Sequence, residues 1–169
     1  MQSYLSHLEC TRCHETYSAD ETHTTCPACQ KVLYARYDLD ACRDAFSRDD
    51  LRGREGGMWR WFEIMPVRDP ANVVSLGEGH TPLLHAESLG GSHGASRLYI
   101  KEEGLNPTGS FKARGLSAAV SRAKELGVCA VAIPSAGNAA SALSAYGARA
   151  GMDVHVYMPA DTPDMMKKE

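Results

Sequence analysis

The sequence predicts an α/β protein, a parallel sheet with its helices, preceded by a small four-cysteine ribbon. Three observations predict it. Two C-x2-C pairs, Cys10–Cys13 and Cys26–Cys29, are separated by twelve residues. From about residue 76 onward, short apolar runs alternate with helix-like segments. The stretch Asn106-Pro107-Thr108-Gly109-Ser110-Phe111-Lys112 delivers one lysine to a helix start, just after a turn suited to approach a ligand.

Taken in order, residues 1–40 are rich in Cys and Thr and hold few aliphatic side chains. Such a segment cannot bury much core and needs a staple. Two C-x2-C knuckles supply four tetrahedral ligands, so Cys10, Cys13, Cys26 and Cys29 are expected to bind a structural zinc ion. Knuckles usually carry Gly after the second Cys, but His14 and Gln30 stand there. His14 and His23 are alternative ligands, expected at the surface. Three basic residues (Arg12, Lys31, Arg36) against six acidic ones argue against nucleic acid as the ribbon's partner.

Residues 41–75 read as a charged connector, with Trp59, Trp61 and Phe62 expected to dock it. Residues 76–169 form the α/β region. Arg97 to Lys101 reads as a strand. Phe111 to Leu126 reads as a helix, with Leu116, Ala119, Val120 and Ala123 at helical spacing and Gly127 as its stop. Val128 to Ile133 has the continuous apolar run of a buried parallel strand. The loop Ser135-Ala136-Gly137-Asn138, the helix Ala139–Ala150 and the strand-like Asp153–Met158 complete a βαβ pattern. Residues from Pro163 onward read as the opening of another helix, which suggests the front portion of a longer protein.

Hydrophobic content of 43%, charged content of 23% and a net charge of −3 describe a globular chain with no bulk affinity for nucleic acid or anionic membrane. No apolar run approaches the ~20 residues that span a bilayer. No secretory signal is visible, and the cytoplasm is the expected location.

Ser110 is positioned to cap the helix that Lys112 enters, and the helix dipole there disfavours the ammonium form. Such a lysine is a nucleophile towards carbonyls and can form a Schiff base. The SAGN loop lies beyond the carboxyl end of a strand, where open α/β sheets bind ligands. Asn138 offers an amide to a phenolate-like oxygen, or alternatively a helix cap. Gly77-Glu78-Gly79-His80-Thr81-Pro82-Leu83 adds a glycine-rich loop.

VSLGEGHTPLL, KEEGLNPTGSFKARGLSAAV and AIPSAGNAASALSAYGARAG together resemble the fold type II pyridoxal-phosphate enzymes (tryptophan synthase β-like). Among these they are most similar to the threonine synthases, whose bacterial members often carry a four-Cys ribbon ending in YDL, here Tyr37-Asp38-Leu39. The resemblance implies that Lys112 holds pyridoxal 5'-phosphate and moves protons, and that Asn138 hydrogen-bonds the cofactor's 3′ oxygen. Thr81 and Ser135 fall in loops implied to contact the substrate. The implied reaction, the last step of threonine biosynthesis, converts O-phosphohomoserine and water to threonine and phosphate, in an enzyme able to form a homodimer. Many relatives have Asp directly after the lysine, where this chain has Ala113. The family's cradle for the cofactor phosphate is implied to lie beyond Glu169, so the chain is expected to be an inactive fragment. A threonine/serine dehydratase or ammonia-lyase of the same fold is the enzyme alternative, and a non-enzymatic zinc-ribbon binding module is the alternative of another class.

Overall fold

A computed structural model describes residues 1–168; Glu169, the last residue of the expected 76–169 region, lies outside them. The N-terminal segment forms three short antiparallel strands, β1 (Leu5–Cys10), β2 (Thr16–Ser18) and β3 (Leu33–Tyr37), in the order β2-β1-β3. Its buried apolar side chains are Leu5, Cys10, Ala19 and Cys26, so the cysteines stand where a larger domain would place aliphatic core. Asp38 of the YDL segment caps α1 (Leu39–Ala45), accepting from Ala41 N–H at 2.9 Å.

The connector runs through short 3-10 turns at Asp49–Leu51, Met58–Ile64 and Pro70–Asn72. Phe62 is 1% exposed, and Trp59 Nε1 reaches into the α/β region. The expectation for Trp61 is corrected. It stays 41% exposed, edge-on to Phe46, because the helical backbone breaks at Trp61 itself (φ −99°, ψ 38°). Arg54 makes a two-point pair with Glu63, at 2.8 and 2.9 Å, that fixes the connector internally.

The α/β region contains β4 (Leu83–His85), α2 (Glu87–Ser92), β5 (Tyr99–Lys101), α3 (Lys112–Glu125), β6 (Ala130–Pro134), α4 (Asn138–Ala150), β7 (Asp153–Tyr157) and α5 (Asp164–Lys168). Strands β6 and β7 pair in parallel through α4, as the βαβ pattern implies. The strand read at Arg97–Lys101 shortens to β5 and pairs antiparallel with β4, so among the described residues the sheets are small and only one pair is parallel. Strand β6 starts later than expected because Gly127 (φ 73°) and the bond Val128 N–H to Ala123 O still close the end of α3.

The core joins Val74, Ala113, Val120, Ala142, Leu143 and Tyr146, with Val131, Ile133, Met152 and Val154 packed against it. Helices α3 and α4 lie on one face of β6–β7. Alternate residues of both strands are therefore half-buried or exposed, not buried on both faces as the apolar run suggested. The buried face of α3 is Ala113, Ser117, Val120 and Ser121. Of the expected Leu116/Ala119/Val120/Ala123 stripe, Val120 is buried and Leu116 packs on the core, while Ala119 is exposed and Ser121 turns inward to accept from Val74 N–H. The ribbon is tied to α3 by Asp20, which accepts from Arg68 Nε (2.6 Å) and Arg122 Nη2 (2.7 Å). Among the described residues no helix is long and apolar enough to cross a membrane.

Candidate active site and metal cluster

The glycine-rich loop needs its glycines. Gly77 and Gly79 take φ of 93° and 88°, and His80 joins them in the left-handed region at 53°. A Cβ on Gly79 would stand 2.7 Å from Met58 N, so the loop lies directly against the connector backbone. Between the glycines, Glu78 is 1% exposed. It accepts from Trp59 Nε1 (2.8 Å), Ser117 Oγ (2.6 Å), Leu76 N–H (3.0 Å) and Tyr146 Oη (2.7 Å). Burial alone would raise its pKa, but the donors, Ser117 and Tyr146 foremost, outweigh it and hold the carboxyl below its ordinary value. Burial, and then the facing carboxylate, push Tyr146 up.

Asn106 binds this loop to the lysine turn. Its Oδ1 accepts from Gly79 N–H at 3.0 Å and its backbone oxygen accepts from Gly109 N–H at 2.8 Å. Gly109 takes φ 66°, and Ser110 Oγ accepts from Lys112 N–H at 3.3 Å. Ser110 thus satisfies the Lys112 N–H, but the expectation that it is the N-cap is corrected: that position falls to Phe111, which makes no side-chain cap bond. Lys112 opens α3, half-buried, with Nζ 4.6 Å from the centroid of the Phe111 ring.

Thr81 is buried, and its hydroxyl donates to Glu103 Oε1 at 2.6 Å. Arg114, in the first turn of α3, closes on the same carboxylate through Nε (2.6 Å) and Nη2 (2.8 Å). The Arg114 guanidinium, and then the Thr81 hydroxyl, lower Glu103 to about 2. In the second loop, Ser135 Oγ accepts from Gly137 N–H at 3.3 Å, and Ser135 N–H donates to Tyr157 O at 3.0 Å. Gly137 is the helix cap, so Asn138 is the first residue of α4 and its side chain is exposed.

The structure thus brings Thr81 into one bonded network with the helix that carries Lys112, and packs α3 against α4 through Ala113, Ala142 and Leu143. Two larger cavities lie elsewhere. One of about 450 Å³ is bounded by Arg54, Gly57, Trp59 and Gly77, and one of about 350 Å³ lies between the ribbon and α3. Neither cavity is lined by Lys112 or Asn138, which stand at the N-terminal ends of α3 and α4.

The groups present there suit a pyridoxal cofactor. Lys112 supplies a primary amine, and Asn138 an exposed amide. Thr108 Oγ1, in the lysine turn, is buried without a partner among the described residues. The space beside Gly109 is empty, and only Met166 approaches Gly137. Sequence reasoning assigned no role to Glu78, Glu103, Asn106, Arg114 or Tyr146. A signal was available in Ser117 and Ser121, polar residues four apart on a core-facing helix, which require buried partners.

In the ribbon, the Sγ atoms of Cys10, Cys13, Cys26 and Cys29 all lie within 4.8 Å of one another. Cys10–Cys29 is 3.4 Å and Cys13–Cys26 is 3.6 Å, near the ~3.8 Å edge of a tetrahedron with metal–sulfur bonds of about 2.3 Å. All four are free thiols. His14 and Gln30 adopt φ of 61° and 59°, so the knuckles impose the left-handed turn without glycine. His14 is exposed and its Nδ1 faces Glu9 at 3.0 Å, while His23 packs on Tyr17; neither joins the cluster.

A family model described as pyridoxal-phosphate dependent enzyme matches residues 74–169. The chain is 45% identical over 150 residues to a threonine synthase of Methanocaldococcus jannaschii, covering 89% of this chain and 37% of that protein. It is 41% identical over 157 residues to a threonine synthase of Methanosarcina acetivorans, covering 92% of this chain and 38% of that protein. A threonine synthase of Halalkalibacterium halodurans is 44% identical over 104 residues, covering 62% of this chain and 29% of that protein. The chain therefore spans well under half the length of the curated relatives it matches.

Proposed function

Because this chain belongs to the pyridoxal-phosphate dependent enzyme family, we propose that it carries the lysine-bearing part of a threonine synthase, converting O-phosphohomoserine and water to threonine and phosphate. The observation that carries the reading is Lys112 at the opening of α3, in a turn bonded to the glycine-rich loop through Asn106.

When bound, pyridoxal phosphate supplies an electron sink for the substrate's developing carbanion. Lys112 Nζ would hold the cofactor and would serve to move protons at the substrate carbons, and the Asn138 amide would be the group to hydrogen-bond its 3′ oxygen. Ser135 contributes through the loop it closes onto Gly137 N–H, and Thr81 through the Glu103–Arg114 pair it bonds. A zinc ion on Cys10, Cys13, Cys26 and Cys29 is structural, since four thiolates leave no open position. Residues 1–40 act as the ribbon, 41–75 as the connector and 76–169 as part of the cofactor-binding domain. The complete protein works in the cytoplasm, as a homodimer.

Supplying the complete protein with O-phosphohomoserine and, separately, threonine tests the reading. Phosphate release with threonine formation is expected. Oxobutanoate from threonine, with no phosphate chemistry, would overturn it in favour of a dehydratase. The 169-residue chain assayed alone is expected to release no phosphate, because it spans 37% and 38% of the Methanocaldococcus jannaschii and Methanosarcina acetivorans relatives.

A further inference from the structure

Glu78 takes no part in the chemistry above, yet one carboxylate joins three separate segments. Oε1 accepts from Trp59 Nε1 of the connector and from Ser117 Oγ of α3. Oε2 accepts from Tyr146 Oη of α4, and from Ser75 Oγ and Leu76 N–H of its own loop. Ser117 lies five residues along α3 from Lys112, and Tyr146 eight residues along α4 from Asn138. The helices that present the two cofactor-facing groups are therefore bridged, below their first turns, by a single buried anion. Apolar packing at Ala113, Val120, Ala142 and Leu143 brings the helices together but allows small slides. Bonds of 2.6 and 2.7 Å to one carboxylate do not.

We propose that Glu78 is a positioning residue that sets the placement of Lys112 relative to Asn138 by holding Ser117 and Tyr146 on one carboxylate. The inference rests on the reading of Lys112 as the cofactor lysine. A glutamine at position 78 keeps the volume but turns an amide donor towards hydroxyl, indole and amide donors, so part of the bridge must open. A phenylalanine at position 146 cuts only the α4 arm and leaves the ring in the core. Either change frees one helix to shift against the other.

The test is covalent capture at limiting pyridoxal phosphate. Lys112 Nζ condenses with the aldehyde and loses water; borohydride then delivers hydride to the carbon of the new C=N bond and fixes a secondary amine. Peptide mass spectrometry compares labelling of Lys112 with that of the exposed reference Lys31 in the unaltered chain, Glu78→Gln, Tyr146→Phe and Arg54→Met. Arg54→Met breaks the buried Arg54–Glu63 pair, so it is destabilised without touching either helix. We expect the Lys112 to Lys31 ratio to fall about tenfold in Glu78→Gln and Tyr146→Phe, the loss of roughly one buried hydrogen bond to a charge. It should hold in Arg54→Met. An unchanged ratio in folded Tyr146→Phe, or an equal fall in Arg54→Met, refutes the positioning role. Absence of preferred Lys112 labelling in the unaltered chain instead overturns the reading of Lys112, and the inference with it.

Discussion

Arg114 closes a two-point ion pair on Glu103, at 2.6 and 2.8 Å, two residues after Lys112 and within the first turn of α3. The same carboxylate takes the Thr81 hydroxyl, so the glycine-rich loop, the lysine turn and the first turn of α3 share one anion.

That arrangement has a pH signature. Glu103 is lowered from 4.5 to about 2, by Arg114 first and then by Thr81. The folded state therefore binds fewer protons than the unfolded state between these values, and stability rises with pH across that window. The contribution is fully present above about pH 4.5 and is lost as pH falls towards 2. Glu9, lowered to about 2 chiefly by Arg36, acts in the same window. Urea midpoints measured from pH 5 to pH 2 should therefore fall less steeply in Glu103→Gln than in the unaltered chain, with the Glu9 slope remaining. Identical slopes would mean that the pair is not formed in solution.

Lys112→Ala should separate chemistry from stability. Lys112 is only half-buried and opens the helix, so its loss should shift stability by no more than ~0.5 kcal/mol. Borohydride-fixed labelling at that site should vanish, and no neighbouring lysine should replace it. Retention of the cofactor's visible absorbance through gel filtration by Lys112→Ala would refute the assignment.

The cysteine cluster predicts one zinc per chain, measured by plasma emission. Chelation should expose four thiols to a thiol reagent. It should also abolish amide protection in β1 and β3 while α3 and α4 keep theirs, because the ribbon buries so little aliphatic surface. Full ribbon protection in a metal-free chain would rule out a metal staple.

Gly79 and Gly109 both take positive φ but differ in surroundings. A Cβ at Gly79 meets Met58 N at 2.7 Å, whereas the space beside Gly109 is empty. Gly109→Ala should cost about 1 kcal/mol, the conformational term alone, and Gly79→Ala clearly more. Thermal unfolding of the two variants checks the order; equal losses would place the glycine-rich loop away from the connector.

What could be read along the chain was what repeats or marks locally. Cysteine spacing placed the four thiols, and Pro, Gly and Ser around Lys112 marked a turn that enters a helix. Apolar runs and a terminating glycine marked β6, α4 and β7, to within a residue or two. Each signal arises because neighbouring residues share one backbone conformation. Strand β4 escaped notice because three exposed residues between turn signals carry no period. The tertiary structure alone decided the partners of Glu78 and Glu103. Tyr146 lies 68 residues from Glu78, and Ser117 lies 58 residues from Trp59, so chain folding sets those bonds and no local pattern records them. The sequence by itself determined that Lys112 would open a helix just after a tight turn. Only the folded chain decided which buried carboxylates hold that helix in place, because a buried charge is tolerated only where donors from distant segments converge on it.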